Sequence, residues 1–346
     1  MKMIHLVRKS DRAFAGLWKH LMVSGNHFDA LYGASNLSFY REQCGASDSE
    51  DLSFLAVDGV VPICGLRVFS CQHESGGIEI SCFGRPMLYA EEPQADQAAL
   101  TNARRIMRTT LEEILEAHQI NTTVFYKDTL VRGCLSPISR CLLDLGAEAT
   151  PSISQIVDLS LPEEIIFNRL TKAYKWSVNW GKKNQVLSVI DAASITDQDV
   201  EEFRLLHSEA AGRETRSRQT WSLQHDMVRE GEAFCVFAKM GGALVSAALF
   251  PHSKSHCFYG VSASRRDLFD KPISHSVIWT ALLYARKLGL KYFEMGEQLF
   301  PMYPRKNPSK KELGISFFKR AFGGEPRVFL DVCLKLNNRP ATVPRL

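Results

Sequence analysis

The 346-residue sequence lacks any apolar stretch of bilayer length, any CxxC pair, and the GxSxG, HExxH, P-loop and dinucleotide-binding signatures. The longest apolar run, Val277 to Leu290, is broken by Arg286 and Lys287, short of the roughly 20 residues that cross a bilayer. The opening segment, MKMIHLVRKSDRAF, is basic but carries no apolar core of signal-peptide length. Nine cysteines occur, an odd number, mostly inside apolar runs such as Val-Pro-Ile-Cys64 and Phe-Cys235-Val-Phe. They read as buried, reduced thiols rather than a disulfide framework or a zinc site, so a cytoplasmic protein without a metal is expected. The missing signatures remove support from hydrolase, zinc-protease and nucleotidase functions. A net charge of +4 is too small at this length to mark a nucleic-acid binder.

What is present is apolar material for packed cores, 45% of residues, in a chain long enough for two domains. Residues 11–23 and 36–44 read as short helices, the second opened by Asn36 as its N-cap. Strand-like runs follow at 52–57, 60–71 and 77–89, with Asp58-Gly59 as a hairpin turn between the first two. An amphipathic helix spans 96–118, and a strand at 122–126, a helix at 137–145 and a strand at 152–158 complete the half. The second half repeats that order. A helix starts at Pro162, a short strand covers 187–190, and Thr196 with Asp199 opens a helix over 199–211. Strands at 233–240, 243–250 and 256–262 come next, with Gly241-Gly242 in the first turn. A helix over 274–288 stops at Gly289, and a strand 291–295, a helix 314–322 and a strand 327–335 finish the chain. This order predicts a mixed α/β (α+β) architecture of two similar domains, 1–150 and 151–346, each a mostly antiparallel sheet flanked by helices.

That layout is the one of the Gcn5-related acetyltransferase fold, and two copies in one chain resemble the Fem family of peptidoglycan aminoacyltransferases. Three segments carry the likeness. Asp158-Leu-Ser-Leu-Pro-Glu-Glu, followed by a basic helix with Lys172, Lys175, Lys182 and Lys183, resembles the entry into the family's second domain. His275–Gly289 followed by Lys291-Tyr-Phe-Glu294-Met-Gly296 is similar to its long helix and glycine-ended strand. Gly314-Ile-Ser-Phe-Phe318-Lys319-Arg-Ala-Phe322-Gly-Gly324 resembles its most recognisable segment. The likeness covers about 150–335 well and 1–149 by architecture alone. Two features differ. Residues 196–232 lack the sustained heptads of a helical arm. Ser264–Ser274, where simple acetyltransferases open the long helix with a glycine-rich turn for the coenzyme A pyrophosphate, contains no glycine.

The resemblance implies N-acyl transfer without a covalent enzyme intermediate. An acyl or aminoacyl group, with acyl-CoA as the expected co-substrate, would pass to an amine of a cell-envelope or nucleotide-linked amino-sugar precursor. It places the family's catalytic lysine at Lys319, as oxyanion stabiliser, with Phe318 beside the donor; by spacing alone, Lys319 next to Arg320 is a solvated helix lysine. Glu294 and Glu297 bracket Met295-Gly296 at the carboxyl end of a strand, where open α/β sheets place ligands, and either is a candidate base. Strand alternation puts Glu294 and Gly296 on one side and Met295 and Glu297 on the other. Tyr259 lies in a strand that faces the acyl group in the acetyltransferase fold, and Tyr303 lies in a polar loop; both are hydroxyl donors.

The densest polar cluster runs from His207 to Trp221. A helix break at Gly212 would expose Arg213, Arg216 and Arg218, whose forks suit a phosphate- or carboxylate-bearing acceptor, with Trp221 stacking on it. The bland alternative is a charged loop neutralised by Glu209 and Glu214. Lys172, Trp176 and Trp180 recur at helical spacing. Such a stripe receives a nucleotide or tRNA end in some proteins, but tryptophan packing between two domains is the expectation here. Two other functions stay open: an aminoacyl-tRNA-dependent aminoacyltransferase of the peptidoglycan type, and a non-catalytic duplicate fold that binds a glycan or phosphate. Oligomeric state is not readable.

Overall fold

Apolar runs punctuated by glycine turns become strands, and amphipathic runs become helices, in a computed structural model that describes residues 4–25, 27–46, 48–72, 76–118, 120–302 and 307–336. In chain order the first elements are β1 (Ile4–Arg8), α1 (Phe14–Ser24), α2 (Ala34–Gln43), β2 (Ser49–Asp51), β3 (Phe54–Asp58), β4 (Val61–Arg67) and β5 (Phe69–Gln72). There follow β6 (Ile78–Ser81), β7 (Leu88–Glu91), α3 (Gln97–Ala117), β8 (Thr122–Asp128), α4 (Pro137–Asp144) and β9 (Glu148–Asp158). Then come α5 (Glu163–Arg169), α6 (Lys172–Asn184), β10 (Val186–Ile190), α7 (Asp197–Ala211), α8 (Arg218–Arg229), β11 (Ala233–Met240) and β12 (Ala243–Pro251). The last are β13 (His256–Phe258), β14 (Ser262–Ser264), α9 (His275–Lys287), β15 (Tyr292–Glu297), α10 (Lys310–Arg320) and β16 (Glu325–Leu336). Two compact units result: Met1–His27 with Tyr40–Ser152 and Val328–Leu346, and Phe28–Phe39 with Ile153–Arg327.

In the first unit, β1, β3, β4 and β7 form an antiparallel sheet, with Gly59 at φ +63° in the β3–β4 turn. The expected strands 60–71 and 77–89 each divide in two. β4 pairs with β7, whereas β5 pairs with β6 in a different sheet, where β6 lies parallel to β8 and β8 antiparallel to β16. A chain that changes sheets must break its ladder, which periodicity alone does not reveal. α3 is capped by Asp96, which accepts from the N–H groups of Ala98 and Ala99. It buries Met107, Leu111 and Ile114 in a core with Phe54, Leu66, Ile80 and Val124.

In the second unit, β10, β11, β12 and β14 form an antiparallel sheet, and Gly241 and Gly242, at φ +56° and +84°, make the β11–β12 turn. β13 runs parallel to β15, and β15 runs antiparallel to β9. The expected single strand 256–262 is therefore two. It starts beside β15 and ends beside β12, where Ser262–Ser264 pairs with Ala248–Ser246. α9 buries Val277, Ile278, Trp279, Ala281 and Leu282 against Phe234, Val236, Phe250 and Phe293.

α1 begins at Phe14 rather than at 11, with no side-chain cap; three other helix starts depart from expectation through capping. α7 begins at Asp197 behind the Thr196–Asp199 capping box. α10 begins at Lys310 rather than 314, because Ser309 and Glu312 form a second box. α2 begins at Ala34 rather than at an Asn36 cap, because Glu232 supplies the acceptor from far along the chain. Its Oε2 takes the N–H groups of Ser35 at 2.9 Å and Asn36 at 3.2 Å, a carboxylate at a helix N-terminus. Glu232→Ala leaves those donors without that acceptor, and unfolding in urea should show a loss of about 1–3 kcal/mol; Glu232→Gln, which keeps a carbonyl oxygen, should lose less.

Candidate active site

β15 lies between β13 and β9, and its last turn of sequence, Glu294-Met295-Gly296-Glu297, is where the ladder becomes irregular. Glu294 pairs with Ile156 and Gly296 with Gln155, so Met295 is an extra, unpaired residue, a bulge. This corrects the expected alternation. Met295 is fully buried while Glu297 is exposed, and the bulge turns both carboxylates toward the same lysine. Gly296 sits at φ +93°, and a methyl placed on it would lie 2.8 Å from Lys319 Nζ. Glycine is thus required twice, for the backbone angle and for the approach of the ammonium.

α10 carries Lys319 there. Ser316 Oγ accepts the Leu299 N–H at 2.9 Å, fastening the helix to the chain that leaves β15. Phe318 and Phe322 pack with Tyr174 and His275. Burial lowers the pKa of Lys319 below its ordinary value, and the negative charges of Glu297 and Glu294 pull it part of the way back.

Glu294 is held from both neighbouring strands. Ser154 Oγ, on β9, donates to its Oε1 at 2.6 Å, and His256 Nε2, on β13, stands 3.1 Å from its Oε2. The Arg327 guanidinium lies over the Phe28 ring at 4.4 Å, and burial depresses its pKa against the opposing pull of Tyr292 and Glu294. Tyr259 donates its N–H to the Glu294 carbonyl at 2.8 Å and its hydroxyl to Ser262 Oγ at 2.9 Å. Burial raises the pKa of that phenol, keeping it protonated.

At the next residue the strand changes partner, since Gly260 N–H bonds to Leu249 O. From there β14 follows β12 while β15 follows β9. The two chains splay beyond Phe258 and Glu294, and the splay opens beside Lys319, Glu294, Glu297 and Tyr259.

The other sequence candidates make their contacts elsewhere in the unit. Trp221 is only 4% exposed, edge-on to Phe203 and His207, because it lies on the buried face of α8. The expected ligand-stacking face is therefore turned inward. Arg216 lies over its ring, and His207 is held below its ordinary pKa by burial and by Arg216. Arg213 and Arg218 are exposed, and Arg218 is the first residue of α8 rather than a loop residue. Glu214 is bound by Arg204, which also takes Glu201 in a two-point pair. Arg218 lines an open cleft with Arg204, Ser222 and His225.

On α6 the buried face is Ser177, Val178 and Gly181. Lys172 and Trp176 are exposed, the latter by 63%, while Trp180 packs on the core. Trp176, expected on a packed stripe, is thus an exposed side chain. Tyr303 lies outside the described residues.

Among the described residues no group of three His, Cys, Asp or Glu side chains is placed to hold a metal, and no helix is long and apolar enough to cross a membrane. His256, Ser154, Arg327 and Phe28 were not legible as site residues, because their partners are distant in sequence.

No family model matches the chain, and a search of curated proteins finds no match. Solved structures do match. FemX is 12% identical, with 94% of this chain and 96% of that one covered, at a TM-score of 0.68. The C-terminal domain of a putative lysylphosphatidylglycerol synthetase from Agrobacterium fabrum is 11% identical over 92% of this chain and 90% of that one, at 0.57. A tandem GNAT protein from the clavulanic acid biosynthesis pathway is 15% identical over 98% and 100%, at 0.51. The fold is accordingly of the Fem-like, tandem Gcn5-related acetyltransferase type, a mixed α/β chain with mostly antiparallel sheets.

Two outcomes follow for the site. Gly296→Ala forces a left-handed angle on an L-residue, at about 1–2 kcal/mol, and displaces Lys319, so both the melting temperature and any activity should fall. Lys319→Met tests the buried cation. With its folded pKa below the unfolded value, the folded chain binds fewer protons through that window. Wild-type stability therefore rises relative to the variant as pH increases from about 7 to about 10. Paired urea titrations at the two pH values measure it.

Proposed function

We propose that the chain is an N-acyltransferase that moves an acyl or aminoacyl group from an activated donor to an amine of a cell-envelope or nucleotide-linked amino-sugar precursor. The observation that carries this reading is the splay at the end of β15, with the Lys319 ammonium over Gly296 and Glu294 held between Ser154 and His256. Acyl transfer needs alignment, a cation or dipole for the tetrahedral oxyanion, and a proton acceptor. The acceptor nitrogen attacks the donor carbonyl carbon. Lys319 faces the oxyanion, and Glu294 takes the proton lost by the nitrogen, with Glu297 as the second carboxylate in reach of Lys319. The C–N bond forms as the donor's C–S or C–O bond breaks, and the protonated Tyr259 phenol supplies the leaving group's proton. His207, Arg213, Arg216, Arg218 and Tyr303 are assigned to the acceptor side, with Trp221 as their packing support; Phe318, Lys172 and Trp176 are assigned to the donor side. A cytoplasmic location accompanies these substrates.

Acyl-CoA is the first reading for the donor. A charged tRNA is the second, and one observation favours it. The first turn of α9, which meets the pyrophosphate in simple acetyltransferases, is packed over. Ser276 is fully buried and bonded to Gln185, and the His275 ring lies among Tyr174, Phe318 and Phe322. Exposed Lys172 and Trp176 on α6 offer a basic, aromatic face for RNA.

Purified protein incubated with labelled acyl-CoA or charged tRNA and a panel of amine acceptors separates the donors, since product from charged tRNA alone removes the first reading. If no donor gives product or shifts the melting temperature at millimolar concentration, a binding-only protein replaces the transferase. Lys319→Ala should lower kcat about 10²–10³-fold and Glu294→Gln about 10²–10⁴-fold, both variants remaining folded; full turnover in either excludes that residue's role.

A further inference from the structure

His256 has so far been placed only beside Glu294, and it is among the most enclosed polar side chains of the second unit, at 2% exposure. Its ring is fixed on three sides. Nδ1 accepts the backbone N–H of Ala30 at 3.2 Å. The Phe28 ring tilts against it with centroids 4.9 Å apart and stacks on Tyr292 at 5.1 Å. Nε2 points at Glu294 Oε2 from 3.1 Å. A backbone N–H only donates, so Nδ1 must be without a proton, and a neutral imidazole then carries its proton on Nε2. That proton faces the carboxylate. The approach is close, although its alignment falls short of a hydrogen bond; such contacts tighten when substrate is bound.

We propose that His256 is a positioning residue for Glu294: Ala30 fixes the imidazole as its Nε2–H tautomer, and that N–H together with the Ser154 hydroxyl aims the carboxylate into the splay beside Lys319. The strand order makes this possible, because β13 and β9 flank β15 and each contributes one donor to one carboxylate oxygen. The arrangement supplies what a base on a bulged strand end lacks. An ion pair between this glutamate and Lys319 would occupy both groups. Two neutral donors from opposite sides hold the carboxylate without adding charge, leaving the Lys319 ammonium for the oxyanion. The titratable and charged groups around the carboxylate are Lys319 from α10, Arg327 from β16, Glu297 and Tyr292 from β15 itself, and His256 from β13.

The catalytic half of this inference rests on the transferase reading; the tautomer does not, and the experiments keep them apart. Nitrogen-15 NMR of ring-labelled histidine in the full chain, with His256→Gln assigning the resonance, should show at neutral pH a bare Nδ1 and a protonated Nε2. An Nδ1–H tautomer or a charged imidazolium overturns the proposal whatever the protein catalyses. In the transfer assay, His256→Leu should lower kcat about 10- to 100-fold with KM little changed, the worth of one hydrogen bond to a charged group. It should also move the acid limb of the kcat–pH profile to higher pH, since a carboxylate that loses a donor is protonated more readily. His256→Gln, which restores an N–H near the Nε2 position, should recover most of both effects and serves as the folding control. Equal kcat losses in the two variants with an unmoved acid limb would mean a purely packing role. A Glu294→Gln protein with full turnover would end the transferase role of Glu294 while leaving the NMR result standing.

Discussion

A backbone strand has two edges, and each N–H and C=O along it can serve one neighbour. The strand that begins at His256 bonds β15 as far as the Tyr259 N–H on Glu294 O, while its other edge meets His252 at Cys257 and then Leu249 and β12; beyond Tyr259 its ladder is with β12. Pairing with both neighbours over the whole length would have closed the sheet. The β12 edge stays paired while the β15 edge ends, so the two parts of the sheet separate. The Met295 bulge, Gly296, Glu294, Glu297, Tyr259 and Lys319, arriving from α10, lie at or beside that separation.

The electrostatics follow from this geometry. Lys319 and Arg327 are cations partly withdrawn from water, and burial lowers both, while the same carboxylate, Glu294, counteracts each. A cluster with cations and carboxylates in mutual reach keeps its charge near balance, which limits the cost of desolvating it. The bulge is the backbone expression of the same demand. It gives up one ladder position, and with it the carboxylates of Glu294 and Glu297 both act electrostatically on Lys319.

Much of the architecture was legible because it rests on local rules. The Gly241-Gly242 hairpin, the amphipathic stripe of α3 and the capping box at Thr196 all sit where pattern and turn chemistry put them. What stayed hidden was non-local. The start of α2 is set by Glu232, nearly two hundred residues away, and the strand at 256 divides because of which neighbours it meets, not because of its composition. At the site, Lys319 and Glu294 were legible through motif resemblance, but the alternation argument for Glu294 and Glu297 failed at a bulge that no periodicity encodes. Trp221 and Trp176 show the converse limit. A tryptophan in a polar segment was read as exposed and one on a helical stripe as packed, and which face of each helix meets the sheet reversed both.

The short piece Phe28–Phe39 travels with the second unit although it is encoded in the first half of the gene. Its Phe28 ring and Ala30 amide are parts of the histidine's surroundings. A fragment cut at the midpoint would carry the lysine and both glutamates but lack Phe28 and Ala30 around His256, and Ser154 on Glu294. The two halves are for this reason not interchangeable cassettes: a swap of one half for a homologue's must carry those twelve residues across the junction.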